Sequence, residues 1–256
     1  LDRVNDSRGL SRTIGVGLRW NSDRLVIWAM TVFRSALLFL IGLSACRTER
    51  PSPPAEVAQT QAPATPAPDR PTITFLGTSL TAGLGVDLEE AYPALIQRKL
   101  DSAGLAYRVV NAGVSGESSA GALRRLEWLL SAPPAILVLE TGANDALRGQ
   151  DVDSVRANIQ AMIDRTRAVA PKTRTVLVGM EALPNLGRDY TRRFRAIYPE
   201  LARRNHLTLV PFLLAGVGGV DSLNQADGIH PNPRGHEIVA ENVWKVLKPL
   251  LVSGTS

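Results

Sequence analysis

The 256-residue chain is 45% hydrophobic and 21% charged, enough apolar material for one or two globular domains with a full core. Its net charge of +5 is unevenly placed: the first fifty residues hold eight arginines against four acids, and residues 51–70 one against two, which leaves +2 for residues 71–256. A nearly neutral body makes no electrostatic case for nucleic acid, and the single cysteine, Cys46, rules out an intrachain disulfide or a cysteine-based metal cluster.

Residues 1–29 lack a clear period and precede an internal Met30; they read as an extension upstream of the true start and take no part in the fold. Residues 30–45 have the order of a secretory leader. Met30-Thr-Val-Phe-Arg34 carries a positive charge, Ser35 to Leu43 is apolar, and Ser44 and Ala45 are small. The apolar run is shorter than the roughly 20 residues of a spanning helix. Leu43-Ser44-Ala45-Cys46 resembles the lipobox of bacterial lipoproteins. That resemblance implies cleavage before Cys46, acylation of Cys46 and a membrane anchor in the cell envelope, with the protein facing the periplasm. Residues 46–70 follow as a tether, with six prolines between Arg47 and Arg70 and too little apolar surface to pack. Fully extended, at about 3.1 Å per residue, such a spacer reaches roughly 75 Å.

From Pro71 to the end the pattern is that of one domain. Strand-like segments begin at Thr72, Tyr107, Ala135, Thr173 and Leu207, and helical patterns fall at about 91–103, 119–131, 152–169, 190–204 and 235–250. In 152–169 the residues Val152, Val155, Ile159, Met162, Ile163 and Val169 keep to one face of a 3.6-residue period. Five strands alternating with helices predict an α/β fold, a five-stranded parallel sheet covered by helices on both faces as a three-layer sandwich.

Parallel strands send their carboxyl ends to one edge, where open α/β sheets hold their ligands. The first strand, Thr72-Ile-Thr-Phe-Leu76, runs into Gly77-Thr78-Ser79-Leu80, which makes Ser79 a candidate nucleophile, though serine after glycine also suits turns and helix caps. The second ends in Asn111-Ala-Gly113-Val-Ser-Gly116-Glu117, where Gly113 offers a backbone N–H with no side chain in the way. The third ends in Glu140-Thr-Gly142-Ala-Asn144-Asp145, where Asn144 offers an amide. Serine, glycine N–H and asparagine amide are the parts of an oxyanion hole. Asn-Ala-Gly is equally good turn chemistry, and Asn-Asp a good helix cap. Near the end, Asp227-Gly-Ile-His230-Pro231 sets a carboxylate and an imidazole three residues apart in a tight segment. There Asp227 can hold one ring nitrogen while the other turns to Ser79. An Asp-Gly turn followed by an exposed histidine is the plainer alternative. His206 and His236 are weaker candidates, at a helix end and at the start of the last helix.

Taken together, Gly77-Thr-Ser-Leu80, Gly113, Gly142-Ala-Asn-Asp145 and Asp227-Gly-Ile-His-Pro231 resemble, in order, the four blocks of the SGNH (GDSL) hydrolases, and within them the small bacterial thioesterase I/arylesterase/lysophospholipase group. The resemblance spans about 72–250. It implies a flavodoxin-like sandwich, Ser79 as nucleophile, His230 as general base, Asp227 as its orienting acid, and Ser79 N–H, Gly113 N–H and the Asn144 side chain as oxyanion donors. It also implies a serine-dependent hydrolase of acyl esters that needs no metal or cofactor. The family pattern has aspartate where this chain has Thr78. A threonine hydroxyl can still accept a capping bond, so the chemistry is expected to survive.

Leu147, Leu183 and Leu186 follow strand ends and are candidates to line an acyl groove. An enzyme tethered outside the cytoplasm meets lipid-like esters more readily than acyl-CoA, so a lysophospholipid or similar small acyl ester is the expected substrate. The alternatives are deacetylation of envelope polysaccharide and a surface-tethered binding protein that has lost activity. The glycines around Ala82-Gly-Leu-Gly85 lack the ending of a phosphate loop.

Overall fold

The computed structural model describes residues 70–252, so the expectations for the leader, Cys46 and the proline-rich tether lie outside the described residues. Five strands alternate with helices: β1 (Thr72–Gly77), α1 (Ser79–Ala82), α2 (Tyr92–Ser102), β2 (Arg108–Gly113), α3 (Ser119–Leu129), β3 (Ile136–Glu140), α4 (Ala143–Leu147), α5 (Val152–Val169), β4 (Arg174–Val178), α6 (Arg188–Arg204), β5 (Thr208–Val210) and α7 (Pro233–Val252). All pairings are parallel, in the order β2-β1-β3-β4-β5. The chain steps one way from β1 to β2 and the other way from β1 to β3, which creates a topological switch point at the carboxyl end of β1. With right-handed crossovers, α2 and α7 cover one face, where they pack together, and α3, α5 and α6 cover the other.

The centre of the sheet is apolar because both its faces are covered: β3 is buried along its whole length, and Ile73, Phe75 and Leu76 of β1 are inaccessible. In α5 the residues Val152, Val155, Ile159, Met162 and Ile163 are buried, as the period predicts. Val169 departs from that expectation: it is 42% exposed at the helix end, one position before Ala170 turns inward instead. Helix α5 starts where Asp151 accepts the Ser154 N–H at 2.8 Å, and α3 where Ser118 accepts the Gly121 N–H at 3.3 Å. Helix α4 begins at Ala143, ahead of the Asn144-Asp145 pair that the sequence offers as a helix cap. Its start is Gly142 in the left-handed region (φ 100°) with no side-chain cap, so Asn144 and Asp145 lie within the helix and are free for other partners.

His236 is buried under α2, where its Nδ1 accepts the Tyr92 N–H at 3.3 Å and its ring stacks on Tyr92. Burial, with a smaller push from His230, lowers its pKa to about 4, so it stays neutral and serves as an internal acceptor.

Candidate active site

Glycine 77 closes β1 and the chain turns at once into α1, so Ser79 becomes the first residue of a one-turn helix at the carboxyl edge. Its N–H has no acceptor within that helix, as at every helix start. The Ser79 side chain meets His230, its Oγ lying 2.9 Å from Nε2. His230 Nδ1 lies 2.7 Å from Asp227 Oδ2. With Asp227 ionised, Nδ1 carries the proton and donates, and Nε2 is left as an acceptor for the serine hydroxyl. The Asp227-Gly-Ile-His230 segment holds itself in shape: the other carboxylate oxygen accepts the Ile229 N–H at 2.9 Å and the His230 N–H at 3.0 Å, and Gly228 takes the positive φ of 69° that closes the turn. The His230 backbone bond, then its side chain, then the Ile229 bond lower the Asp227 pKa to about 2.

The second loop is arranged differently from the sequence expectation. Gly113 is the last residue of β2, paired with Gly77, and its N–H donates to Asn111 Oδ1 at 2.9 Å. A side chain at this position would come within 2.2 Å of the Ala82 backbone nitrogen, so glycine is needed for close approach to α1. Asn111 also donates to Thr81 O at 2.9 Å, which ties the end of β2 to the nucleophile turn. Gly113 is therefore a brace; its N–H is spent and it does not line the cavity at Ser79. Gly116, three residues on at φ 77°, does line that cavity, and its N–H has no partner among the described residues. The loop around it is fixed by the ion pair of Arg125 Nη2 with Glu117 at 2.6 Å and by the Arg148 bond to Gly116 O at 2.8 Å.

Asn144 also faces the cavity. One of its amide hydrogens goes to Glu117 O at 3.0 Å, which sets the rotamer and leaves the second hydrogen available. Asp145 points away and accepts both the N–H and the hydroxyl of Ser119 at 2.7 Å, which joins α4 to α3.

Thr78 caps nothing. Its N–H donates to Glu140 Oε2 at 2.7 Å and its hydroxyl lies 3.0 Å from both Glu140 oxygens, while the Thr81 hydroxyl donates to Oε2 at 2.9 Å. Glu140, at the end of β3, is inaccessible; burial raises its pKa and these donors pull it back. It is a site residue that the sequence reading missed.

Ser79 and His230 open into a cavity of about 550 Å³ whose walls include Leu80, Leu84, Leu147, Met180, Leu183 and Phe212. Leu147 and Leu183 are thus where the sequence places them. Leu186 is not: it packs against the core from a short 3-10 turn at Pro184–Leu186. A wider depression between α2 and α7, bordered by Leu95 and Trp244, is lined by none of Ser79, His230 and Asp227. Among the described residues no three His, Cys, Asp or Glu side chains are grouped to hold a metal.

A model of the GDSL-like lipase/acylhydrolase family matches residues 75–238, nearly two thirds of the chain. The chain belongs to that family. Among curated relatives of this GDSL-like hydrolase, the esterase TesA of Pseudomonas aeruginosa is 43% identical over 181 residues, 70% of this chain and 89% of the relative. The thioesterase 1/protease 1/lysophospholipase L1 of Escherichia coli is 34% identical over 181 residues, 70% of this chain and 85% of the relative. The solved psychrotrophic esterase EstA from a Pseudoalteromonas species, inhibited by monoethylphosphonate, superposes with a TM-score of 0.67 at 32% identity and covers 70% of this chain and 98% of its own. The GDSL-like hydrolase is accordingly an ester hydrolase with the parallel α/β fold of its family.

Proposed function

We propose that the protein hydrolyses carboxylic esters of acyl chains through a covalent intermediate on Ser79. The observation that carries this reading is the unbroken chain Ser79 Oγ, His230, Asp227, at 2.9 and 2.7 Å, standing at the mouth of an apolar cavity. His230 Nε2 takes the hydroxyl proton as Oγ attacks the ester carbonyl, and Asp227 steadies the imidazolium that forms. The oxyanion is held by the N–H groups of Ser79 and Gly116 and the free amide hydrogen of Asn144. Collapse breaks the ester bond, and His230 returns its proton to the leaving alcohol or thiol. A water then gives a proton to His230 and attacks the acyl-enzyme. Collapse breaks the bond to Ser79 Oγ, which takes that proton back from His230 as the carboxylic acid leaves.

The cavity walls favour an acyl chain over an acetylated sugar, which has little to bury against leucine, methionine and phenylalanine. Together with relatives named esterase and lysophospholipase, this supports a lysophospholipid or similar lipid-like ester as substrate. Thr78 does not argue for a dead enzyme: its hydroxyl is turned to Glu140, away from the Ser79–His230–Asp227 chain. A fluorophosphonate probe should label the wild type and leave Ser79→Ala unlabelled. An unlabelled but folded wild type overturns the hydrolase mechanism.

The protein is anchored in the envelope through acylated Cys46, a reading supported by the basic, apolar, small order of Met30 to Cys46. Among the described residues no helix is long and apolar enough to cross a membrane. Wild type expressed in a bacterium should fractionate with membranes and carry labelled palmitate, and Cys46→Ser should carry none. Equal label in both would refute the anchor.

A further inference from the structure

Scattered apolar side chains are ordinary on a protein surface, but a contiguous patch marks an interaction site. Ten large apolar side chains are well exposed among the described residues, and seven of them sit in the connections between a strand's carboxyl end and the next long helix. Every one of the five connections contributes: Leu84 and Leu88 after β1, Val114 after β2, Leu147 at the end of the short helix α4 after β3, Leu183 after β4, and Val220 and Ile229 after β5. The other three, Trp128, Val169 and Val252, lie at the carboxyl ends of α3, α5 and α7, which point back to the opposite edge of the sheet. Because the strands are parallel, the seven crowd the edge at which the cavity opens. Leu84, Leu147, Leu183 and Ile229 line the cavity itself. Leu88, Val114 and Val220 do not line it, but lie within four residues of Leu84, Gly116 and Gly219, which do.

We infer that this ring seats the enzyme on the surface of an aggregated zwitterionic amphiphile, a micelle or bilayer of its own substrate class, from which an acyl chain enters the cavity without crossing water. The inference rests on the ester-hydrolase reading and adds the physical state in which the substrate is met. Two observations choose the occupant. A second copy or a fixed protein partner seated on the ring would close the only entrance that Ser79 has among the described cavities, whereas an amphiphile surface delivers what the cavity takes. The same loops carry exposed Asp87, Glu89, Asp151, Glu181 and Asp221 against one exposed arginine, Arg148, so an anionic surface is repelled.

The test uses the body from Arg70 onward. It holds the five-stranded sheet, the helices on both its faces and the core between them, and so has the makings of a domain that folds on its own. Wild type should co-sediment with phosphatidylcholine vesicles, less with vesicles rich in phosphatidylglycerol at low salt, and the double variant Leu88→Asp/Val220→Asp should bind phosphatidylcholine at least tenfold more weakly. Turnover of a long-chain lysophospholipid should rise severalfold as its concentration crosses the micelle threshold in wild type, and not in the double variant. Hydrolysis of soluble p-nitrophenyl butyrate should stay within twofold. Ser79→Ala should bind vesicles like wild type, so the docking arm reads out even if no ester is cleaved. The proposal is overturned by wild type that ignores phosphatidylcholine, by binding unchanged in the double variant, by binding to anionic vesicles only, or by a dimer that the double variant dissociates.

Discussion

Asp227→Asn is expected to lower kcat/KM for a soluble p-nitrophenyl ester by about a thousandfold, close to the roughly 10⁴-fold loss known where such an acid is buried. The reasoning is local. The asparagine oxygen can still accept the Ile229 and His230 N–H bonds, so the turn that holds the histidine survives. The amide nitrogen now faces His230 Nδ1 in place of Oδ2, and a donor there forces the ring proton onto Nε2. An Nε2 that carries a proton cannot take one from Ser79. The expected loss is below the buried case because the Asp227 side chain is 45% exposed, and water already screens its stabilisation of the imidazolium. KM should move little and the melting temperature hardly at all. A fall of less than tenfold would mean that Asp227 does not set the tautomer. Since Asp227 is held to a pKa of about 2, it stays ionised on mild acidification and keeps the ring proton on Nδ1.

The backbone plan was readable in the sequence because it depends on a period, and the Asp227–His230 pair because it lies within four residues. The Ser79–His230 contact spans 151 residues and was expected only from the shared carboxyl edge and the resemblance. Buried strands read as apolar runs, α5 as a 3.6-residue stripe, and the Asp227–His230 bond as a turn of four residues. The glycine that faces the cavity was not readable in the same way. Asn111-Ala-Gly113-Val-Ser-Gly116 offers two glycines, and which one faces the cavity depends on where β2 stops pairing with β1. That is a long-range fact, fixed by the approach of α1 to Gly113. One local signal does favour Gly116, which stands directly before Glu117 and the capping Ser118 of α3, where a strand-to-helix loop turns. Thr78 was misread because a hydroxyl before a helix suggests a cap, while its true partner lies 62 residues away. The clue to that partner was Glu140 itself, a lone carboxylate at the end of Ile136-Leu-Val-Leu139, where nothing else is charged.

Glu140→Ala carries the largest expected effect on stability. The change strips the acceptor from the Thr78 N–H, the Thr78 hydroxyl and the Thr81 hydroxyl, all buried, and the Tyr92 hydroxyl, 2.7 Å from Thr81 Oγ1, loses the order of its chain. Each buried group left without a partner costs about 1–3 kcal/mol, so a total of roughly 4 kcal/mol is expected after partial rearrangement. For a body of this size that lowers the melting temperature by about 10 °C, and kcat should fall at least tenfold as the turn bearing Ser79 loosens. Glu140→Gln keeps the shape and one acceptor and should fall between. Thr78→Asp should behave in a third way. It sets a second carboxyl where Thr78 Oγ1 now lies 3.0 Å from both Glu140 oxygens, and two carboxylates that close in a dry site cannot both be charged. The pair must share one proton, and that hydrogen bond replaces the one from threonine. At neutral pH the rate should therefore change by less than tenfold. The difference appears on the alkaline side. A carboxyl whose folded pKa is raised stabilises the fold only below that pKa, so Thr78→Asp should lose stability and activity as pH rises and the shared proton leaves, more steeply than wild type, whose single raised carboxyl here is Glu140. Threonine at 78 thus supplies the hydrogen bond without a titrating group. Melting and kcat profiles of the three variants across pH check the ordering, and an unchanged melting temperature in Glu140→Ala would remove Glu140 as the anchor of the nucleophile turn.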